Sequence, residues 1–240
     1  MGQNHNKNNC LLCGEELVYF DPARQMECAV CHRPFESNVC CADGHYICDE
    51  CHSSDAVGVI VETCLHTASR DPIAIMTALM EQPCVHMHGP EHHVLVGAAL
   101  LAACRNSGAD IDLAAAVPEM RRRGGQVPGG ACGNWGCCGA AVSTGIFVSL
   151  LTGATPLKTE EWGLANRMTA AALDAIGSLG GPRCCKRDAF TAVCTAAAFV
   201  KEHFGISMEV PGEICCGFSH LNAQCIGARC PYNPCHFEKK

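Results

Sequence analysis

The apolar positions of the chain fall into long runs with helical periodicity, separated by short segments rich in glycine, proline and cysteine. These runs predict helices over residues 73–81, 94–105, 142–151, 160–176 and 189–203. A further helical pattern begins at Ile111, and we expect Pro118 to interrupt it. The longest unbroken apolar run, residues 94–104, is too short to cross a bilayer and predicts a buried helix. We therefore expect a mainly α protein with no membrane partner.

The first 52 residues lack such runs and form a different kind of unit. Residues 1–9 are polar and are expected to be a disordered lead. Cysteine pairs then recur with two residues between them, a spacing that lets both sulfurs reach one ion from a tight turn. The candidate zinc ligands are Cys10, Cys13, Cys28, Cys31, Cys41, His45, Cys48 and Cys51. Eight ligands predict two zinc ions, either paired in chain order, four and four, or cross-braced. Rubredoxin-like iron or a cluster is the alternative to zinc.

This segment is too short to hold a hydrophobic core of its own, so its folding is expected to depend on the bound metal. We therefore divide the chain into a small cysteine-rich zinc-binding module with β-hairpins, residues 1–52, and an all-helical iron–sulfur domain with a cysteine-rich tail, residues 53–240. A lid or docking role suits the module. A second copy of the chain, forming a homodimer, or another protein is the partner expected to bind through it.

Composition favours metals over disulfides. The 240 residues include 22 cysteines and 12 histidines, and the first residues lack the apolar core of a signal peptide. We therefore expect a reducing cytoplasm. A formal net charge of −7 argues against nucleic acid as the main partner. The one basic run, residues 121–123, is expected to lie at a helix C-terminus.

A glycine-rich stretch at residues 129–141 carries the next candidate chemistry. Cys132, Cys137 and Cys138 lie here, just before the helix predicted from residue 142. The free N–H groups and positive dipole end of that helix suit thiolates, an anionic cluster or a substrate carboxylate. The alternative is a glycine-rich packing motif with buried thiols.

Four histidines lie just before the apolar helix predicted from residue 94. They are His86, His88, His92 and His93, and we expect them to bind a metal, move a proton or bind a substrate carboxylate. Solvent-exposed polar residues that cap the helix are the alternative.

A second glycine-rich turn repeats the architecture of the first. It contains the doublet Cys184 and Cys185 and leads into the helix predicted from residue 189. If the two helix starts face each other, Cys132 and Cys184 belong to one site.

These two segments, residues 130–156 and 173–198, resemble the alpha domain of iron–sulfur L-serine dehydratases. That family has a Gly-Gly-Cys turn before an alanine-rich helix, matched here at residues 130–132, and a later cysteine before a helix, matched at Cys184. The resemblance implies an all-helical fold and a [4Fe-4S] cluster on three cysteines, with the fourth iron open to substrate. Leu173 stands where the family has its third cysteine.

The tail offers cysteines that can replace this ligand. Cys216, Cys225 and Cys230 lie there, and Cys230 precedes a proline, as is common at cluster ligands. A second cluster or a tail disulfide is the alternative.

The whole chain also resembles an uncharacterised cysteine-rich family of methanogens and other anaerobes. The function we expect is a lyase or desulfidase-like reaction on a small-molecule substrate, in which an open cluster iron acts as a Lewis acid. A scaffold, electron-transfer or metal-delivery protein with a fully ligated cluster is the alternative.

Overall fold

The computed structural model describes residues 10, 12–13 and 15–237, and the expected disordered lead, residues 1–9, lies outside them. The described residues form eight α-helices and one two-stranded sheet. The predicted mainly α fold, with a cysteine-rich module before a helical region, is confirmed.

The module contains the predicted hairpin. Strands β1 (Leu17–Glu27) and β2 (Pro34–Cys41) pair in antiparallel register, with Leu17 opposite Cys41 and Glu27 opposite Pro34. Most side chains of β1 are exposed, so the sheet adds little to a core. The hairpin therefore needs another source of stability, as expected for a unit that folds around metal.

Helix α1 (Asp49–His66) begins inside the cysteine-rich segment and continues without a break past residue 52. Its first turn carries Cys51, and its later turns bury Ala56, Ile60 and Cys64 at a spacing of four residues. One face of the helix thus packs on the core while its first turn belongs to the module.

Helix α3 (His92–Asn106) is the centre of the helical region. All residues from His92 to Cys104 are buried, and the helix packs against α1, α2 (Pro72–Met80), α4 (Leu113–Gly124), α6 (Gly139–Thr152) and α8 (Cys185–Phe204). Its many alanines allow this close approach. Asp71 caps α2 by accepting from the N–H groups of Ile73 and Ala74, as the sequence predicts.

The expected interruption at Pro118 is wrong, because α4 continues through it. Proline removes one backbone N–H from the helix, and burial of Val117 and Met120 on either side holds the helix in place. The basic run does lie in the last turn, where Arg122 and Arg123 both donate to Glu119.

The remaining helices are longer than predicted. A short helix α5 (Ala131–Asn134) precedes α6, α7 (Glu160–Leu179) runs three residues further than expected, and α8 begins at Cys185 instead of residue 189. The first turn of α8 contains Lys186, Arg187 and Asp188, a polar sequence that resembles a loop. All three are buried, which is why the pattern gave the wrong start.

The tail folds back over α8 through short 3-10 turns. The Cys216 N–H donates to the Tyr232 carbonyl at 2.7 Å, and the Tyr232 hydroxyl lies 3.1 Å from that of Thr191. The Tyr232 and Phe190 rings pack edge to face at 5.5 Å. All 22 cysteines are free thiols, so the alternative of a tail disulfide is not realised. In the described part of the chain, no helix has the length and apolarity to cross a membrane.

Candidate metal centres and the cleft

Two groups of four potential ligands lie at the two ends of the hairpin. The first group is Cys10, Cys13, Cys41 and His45. Its Cys13 and Cys41 sulfurs are 3.7 Å apart, and His45 Nδ1 lies 3.4 Å from Cys13 Sγ and 3.5 Å from Cys41 Sγ. The second group is Cys28, Cys31, Cys48 and Cys51. Its Cys31 and Cys48 sulfurs are also 3.7 Å apart.

These separations fit a single tetrahedral ion. With Zn–S near 2.3 Å, two sulfurs on one zinc lie about 3.8 Å apart, and a sulfur and a histidine nitrogen lie about 3.5 Å apart. Backbone geometry favours the thiolate form of Cys28 as well. Although burial opposes ionisation, N–H groups of Cys48, Cys31 and Val30 donate to the Cys28 sulfur and lower its pKa to about 6. The donor set is therefore that of a metal site.

The grouping is cross-braced. The pair Cys10 and Cys13 groups with Cys41 and His45. The pair Cys28 and Cys31 groups with Cys48 and Cys51. The arrangement in chain order, with Cys10 and Cys13 joined to Cys28 and Cys31, is not the one found. Antiparallel pairing explains this. Cys10 and Cys13 lie before β1 and Cys28 and Cys31 after it, at opposite ends of the hairpin, and β2 returns the chain to the first end at Cys41.

The first turn of α1 joins the module to the glycine-rich stretch. Cys48 is its N-cap and Cys51 follows within the turn, while the Asp49 carboxylate accepts the Gly129 N–H at 2.6 Å. A second link comes from β1, where the Tyr19 hydroxyl accepts from Arg183 at 3.0 Å. The module is thereby held against both glycine-rich turns.

A cleft of about 490 Å³ lies between the module and the helical region. On the module side it is lined by Tyr19, Cys40, His45 and His52, among others. On the helical side its polar lining includes His88, His93, Cys132, Arg183 and Cys185. Thiols from both glycine-rich turns and two of the four predicted histidines therefore meet at one surface.

His93 is held in one tautomer beside the start of α6. Its Nδ1 donates to the Val127 carbonyl at 2.9 Å, so Nε2 carries no proton in the neutral ring. Burial lowers the pKa of His93 and keeps the ring neutral. The ring packs directly on Gly139, where a Cβ would lie 2.2 Å from His93 Cδ2. Glycine is needed at this position to admit the ring.

His88 has the opposite tautomer. Its Nε2 donates to Asn222 Oδ1 at 3.3 Å, and this oxygen is identified as the acceptor because it also receives the Gln224 N–H. Burial, with the nearby charge of Arg183, lowers the pKa of His88 to about 4. A neutral imidazole beside a guanidinium is the result.

The other two predicted histidines do not line the cleft. His92 is almost completely buried, and burial lowers its pKa to about 3. His86 lies with His52 and the buried carboxylate of Glu91. Exposed helix caps, the alternative interpretation of these histidines, are also not found, because all four are buried or partly buried.

Two cysteines beside the glycine-rich turns occupy helix N-cap positions, and the first is Cys138 instead of Cys132. The Cys138 side chain makes no capping hydrogen bond. Cys138 is the N-cap of α6, and Cys184 is the N-cap of α8, where its sulfur accepts the Arg187 N–H at 3.5 Å. Asp188 lies beside Cys138, with 3.9 Å between Oδ2 and Sγ, and pairs with Arg187 at 3.0 Å. Burial raises the pKa of Cys138 to about 12 and of Cys184 to about 11.

The tail brings further thiols toward Cys184. Burial, foremost, and to a smaller extent the negative charge of Cys216 raise the pKa of Cys184, and Cys216 in turn interacts with Cys230 and Cys225. Neither Cys132 nor Cys184 belongs to a described group whose ligand atoms all lie within 4.8 Å of one another. Such a spacing is not required for a cluster, since each thiolate binds a different iron. Cys137, predicted as a cluster ligand, is half-buried after α5. It belongs to none of the ligand groups in the described structure.

Comparison with known proteins places the chain in a family. The model of a family of unknown function, DUF5714, matches residues 60–233. The chain belongs to the DUF5714 family. No curated protein and no solved structure matches the chain. The DUF5714 match includes the helical side of the cleft and begins after the eight module ligands.

Several polar residues of the site have no motif in the sequence that identifies them. Glu91 is a lone carboxylate among histidines, Arg183 lies in a loop, and Lys186 and Asp188 resemble a solvated helix start. These four residues are buried or line the cleft because segments distant in the sequence pack together, and a local sequence pattern does not show this. The one available signal is the charged triplet at residues 186–188, immediately after the doublet Cys184 and Cys185.

Proposed function

We propose that this DUF5714 protein is a metal-dependent enzyme that binds a small carboxylate substrate in the cleft, in a lyase or desulfidase-like reaction. The observation that carries the proposal is the lining of the cleft, where Cys132, Cys185, His88, His93 and Arg183 meet. They come from three separate segments of the chain. A purely structural interface would not require two neutral imidazoles and two thiols around one space.

Arg183 is the carboxylate-binding residue. Its guanidinium contacts the Tyr19 hydroxyl and lies at the cleft with further N–H groups free to bind a planar anion. The charge of Arg183 also helps to keep His88 neutral. A small α-substituted acid, such as an amino acid, matches this arrangement in charge and size.

His93 is the candidate general base. The Val127 carbonyl fixes its tautomer and leaves Nε2 able to accept a proton, and Gly139 fixes the ring against α6. The lowered pKa keeps this nitrogen unprotonated at neutral pH. Removing a base of this kind costs on the order of 10²–10⁴ in rate.

The thiols near the cleft fit an iron–sulfur cluster in their chemistry. Cys132, Cys138 and Cys184, with Cys216 from the tail, would hold it, and two of these four cap helices whose N-termini favour negative charge. A bound [4Fe-4S] cluster with one open iron would supply a Lewis acid for a hydroxyl or thiol leaving group. The zinc-type groups of the module are separate from this set.

Substrate binding can be followed through Trp135, which lines the cleft. The chain has two tryptophans, and Trp162 lies on α7, so a Trp162→Phe background isolates the Trp135 fluorescence. We expect L-serine or L-cysteine to change this signal. Arg183→Gln should weaken binding by about 10- to 100-fold, as expected for a lost charge-assisted contact. Arg167→Gln, an exposed arginine on α7, is the matched control.

The open iron is tested by anaerobic purification with iron and sulfide analysis, followed by Mössbauer spectra with and without the same amino acids. One iron site should change its spectrum when the ligand is added, and Cys184→Ser should remove or convert the cluster. A cluster whose irons are all cysteine-ligated and insensitive to every small ligand would contradict the enzyme and favour a scaffold. Absence of iron from the purified protein would exclude both the cluster-dependent enzyme and the cluster-carrying scaffold.

A further inference from the structure

A third group of potential ligands lies outside the cysteine sites. His52, His86 and Glu91 each place a ligand atom within 4.8 Å of the other two. His52 comes from the first turn of α1, directly after the module ligand Cys51, and the other two precede α3. The group therefore lies where the module meets the helical region.

The group is buried and its hydrogen bonding is incomplete. Glu91 is fully buried, yet its Oε2 has no hydrogen-bond partner, and the buried Nδ1 atoms of His52 and His86 also have none. Leaving such atoms unpaired in a folded protein costs about 1–3 kcal/mol each. An ion that accepts lone pairs from all three residues would remove this cost at once.

The charge balance also calls for a cation. Glu91 Oε1 lies 3.4 Å from His86 Nδ1 and 3.6 Å from His92 Nδ1. The nearest buried ammonium, Lys186, donates to the carbonyls of Met80 and Val85. The fully buried Glu91 carboxylate thus forms no ion pair with a lysine or an arginine in the described structure.

The spacing suits a first-row ion. With metal–ligand distances of 2.0–2.2 Å, two ligands of a tetrahedral ion lie about 3.4 Å apart. His86 Nδ1 and Glu91 Oε1 are already 3.4 Å apart, and the His52 and His86 rings lie 4.4 Å apart between centroids. Gly89 allows the carboxylate to reach this position, because a Cβ there would lie 2.0 Å from Glu91 Oε2.

We propose that His52, His86 and Glu91 bind a third metal ion, a divalent zinc or ferrous ion with an open coordination position. Two histidines and one carboxylate are the ligands of catalytic zinc sites and of non-haem ferrous sites, whereas structural zinc in a cysteine module takes four protein ligands. His52 also lines the cleft, so water or a substrate oxygen can approach the ion from that side. This site does not depend on a cluster at Cys132 and Cys184.

The test is to count ions by native mass spectrometry of the full chain, loaded anaerobically with Zn²⁺ in one arm and Fe²⁺ in the other. Wild type should retain one more ion than Glu91→Gln or His86→Gln in at least one arm, and that arm identifies the metal. Glu62→Gln and His66→Gln, exposed on α1, are the matched controls and should equal wild type. Equal ion counts in wild type and the Glu91 and His86 variants would overturn the proposal.

A second measurement needs no variant and so does not depend on how Glu91→Gln folds. Anomalous scattering from wild-type crystals at the zinc or iron edge should show a peak between the three side chains, separate from the two module sites. An empty position in crystals grown with both metals would also overturn the proposal.

Discussion

At the scale of single residues, neighbouring ligand atoms, and not burial, separate candidate metal ligands from core cysteines. Cys64 and Cys104 lie on α1 and α3 with no potential metal partner in the described structure. Burial raises the pKa of both thiols to about 12. These residues are part of the core and act as small apolar side chains.

This raised pKa predicts how the two thiols react. Alkylation proceeds through the thiolate, which at pH 8 is only about 1 part in 10⁴ of a thiol with a pKa near 12. Cys64 and Cys104 should stay unlabelled by iodoacetamide in the native, metal-loaded protein, while exposed Cys215 and Cys235 react. Mass spectrometry after a timed pulse measures this. Labelling of Cys64 at the rate of Cys215 would contradict the predicted burial.

The same shift has a consequence for stability. The folded pKa lies above the ordinary value of 9.0, so between about pH 9 and pH 12 the unfolded chain loses protons that the folded chain keeps. The free energy of unfolding should therefore fall as the pH rises above about 9.

At the scale of elements, the start of α6 shows how backbone and side chain fit together. A Cβ at Gly139 would lie 2.2–2.6 Å from three atoms of the His93 ring, and that ring is held by its hydrogen bond to Val127. Gly139→Ala should lower the free energy of unfolding by about 1–3 kcal/mol, as overpacking does, and should displace His93 from the cleft.

Gly133→Ala in α5 is the matched control, since a Cβ there meets nothing within 4 Å. Alanine at that position should be neutral or stabilise by up to about 1 kcal/mol through helix propensity. Urea denaturation of the two variants measures the difference. Equal stability of the two would mean that His93 does not pack against α6 as described.

Elements also show what the sequence can and cannot reveal. Periodicity located α2, α3, α6, α7 and α8, because each buries one apolar face or is buried all round. It missed α1, whose first turn lies inside the cysteine-rich segment. It gave the wrong start for α8 because Lys186, Arg187 and Asp188 are charged and yet buried. It gave a wrong break at Pro118, because local propensity was weaker than packing.

The candidate sites follow the same division. Cysteine spacing identified all eight residues of the two module groups, because two-residue gaps are a local property. The spacing did not decide which ligand pairs share an ion, because that depends on how β1 and β2 pair in the hairpin. Glu91 and His52 come together only through contact of α1 with the segment before α3, so no local pattern reveals them.

At the scale of the whole molecule, the module closes one side of the cleft. The cross-braced groups fix the hairpin, the first turn of α1 connects the second group to Gly129, and Tyr19 reaches Arg183. The chemistry proposed for the cleft would therefore depend on metal binding by the two module groups. Without bound metal the hairpin, which has little core of its own, would not be held over the helical region.

Cadmium-113 NMR of the substituted protein tests this arrangement most directly. The module is predicted to give two resonances from sulfur-ligated cadmium, one from the group with three sulfurs and one nitrogen and one from the group with four sulfurs. Cys13→Ser and Cys41→Ser should shift the first resonance only, and Cys31→Ser and Cys48→Ser the second only. If Cys13→Ser and Cys31→Ser shift the same resonance, or if no cadmium is bound in the module, the cross-braced account is wrong.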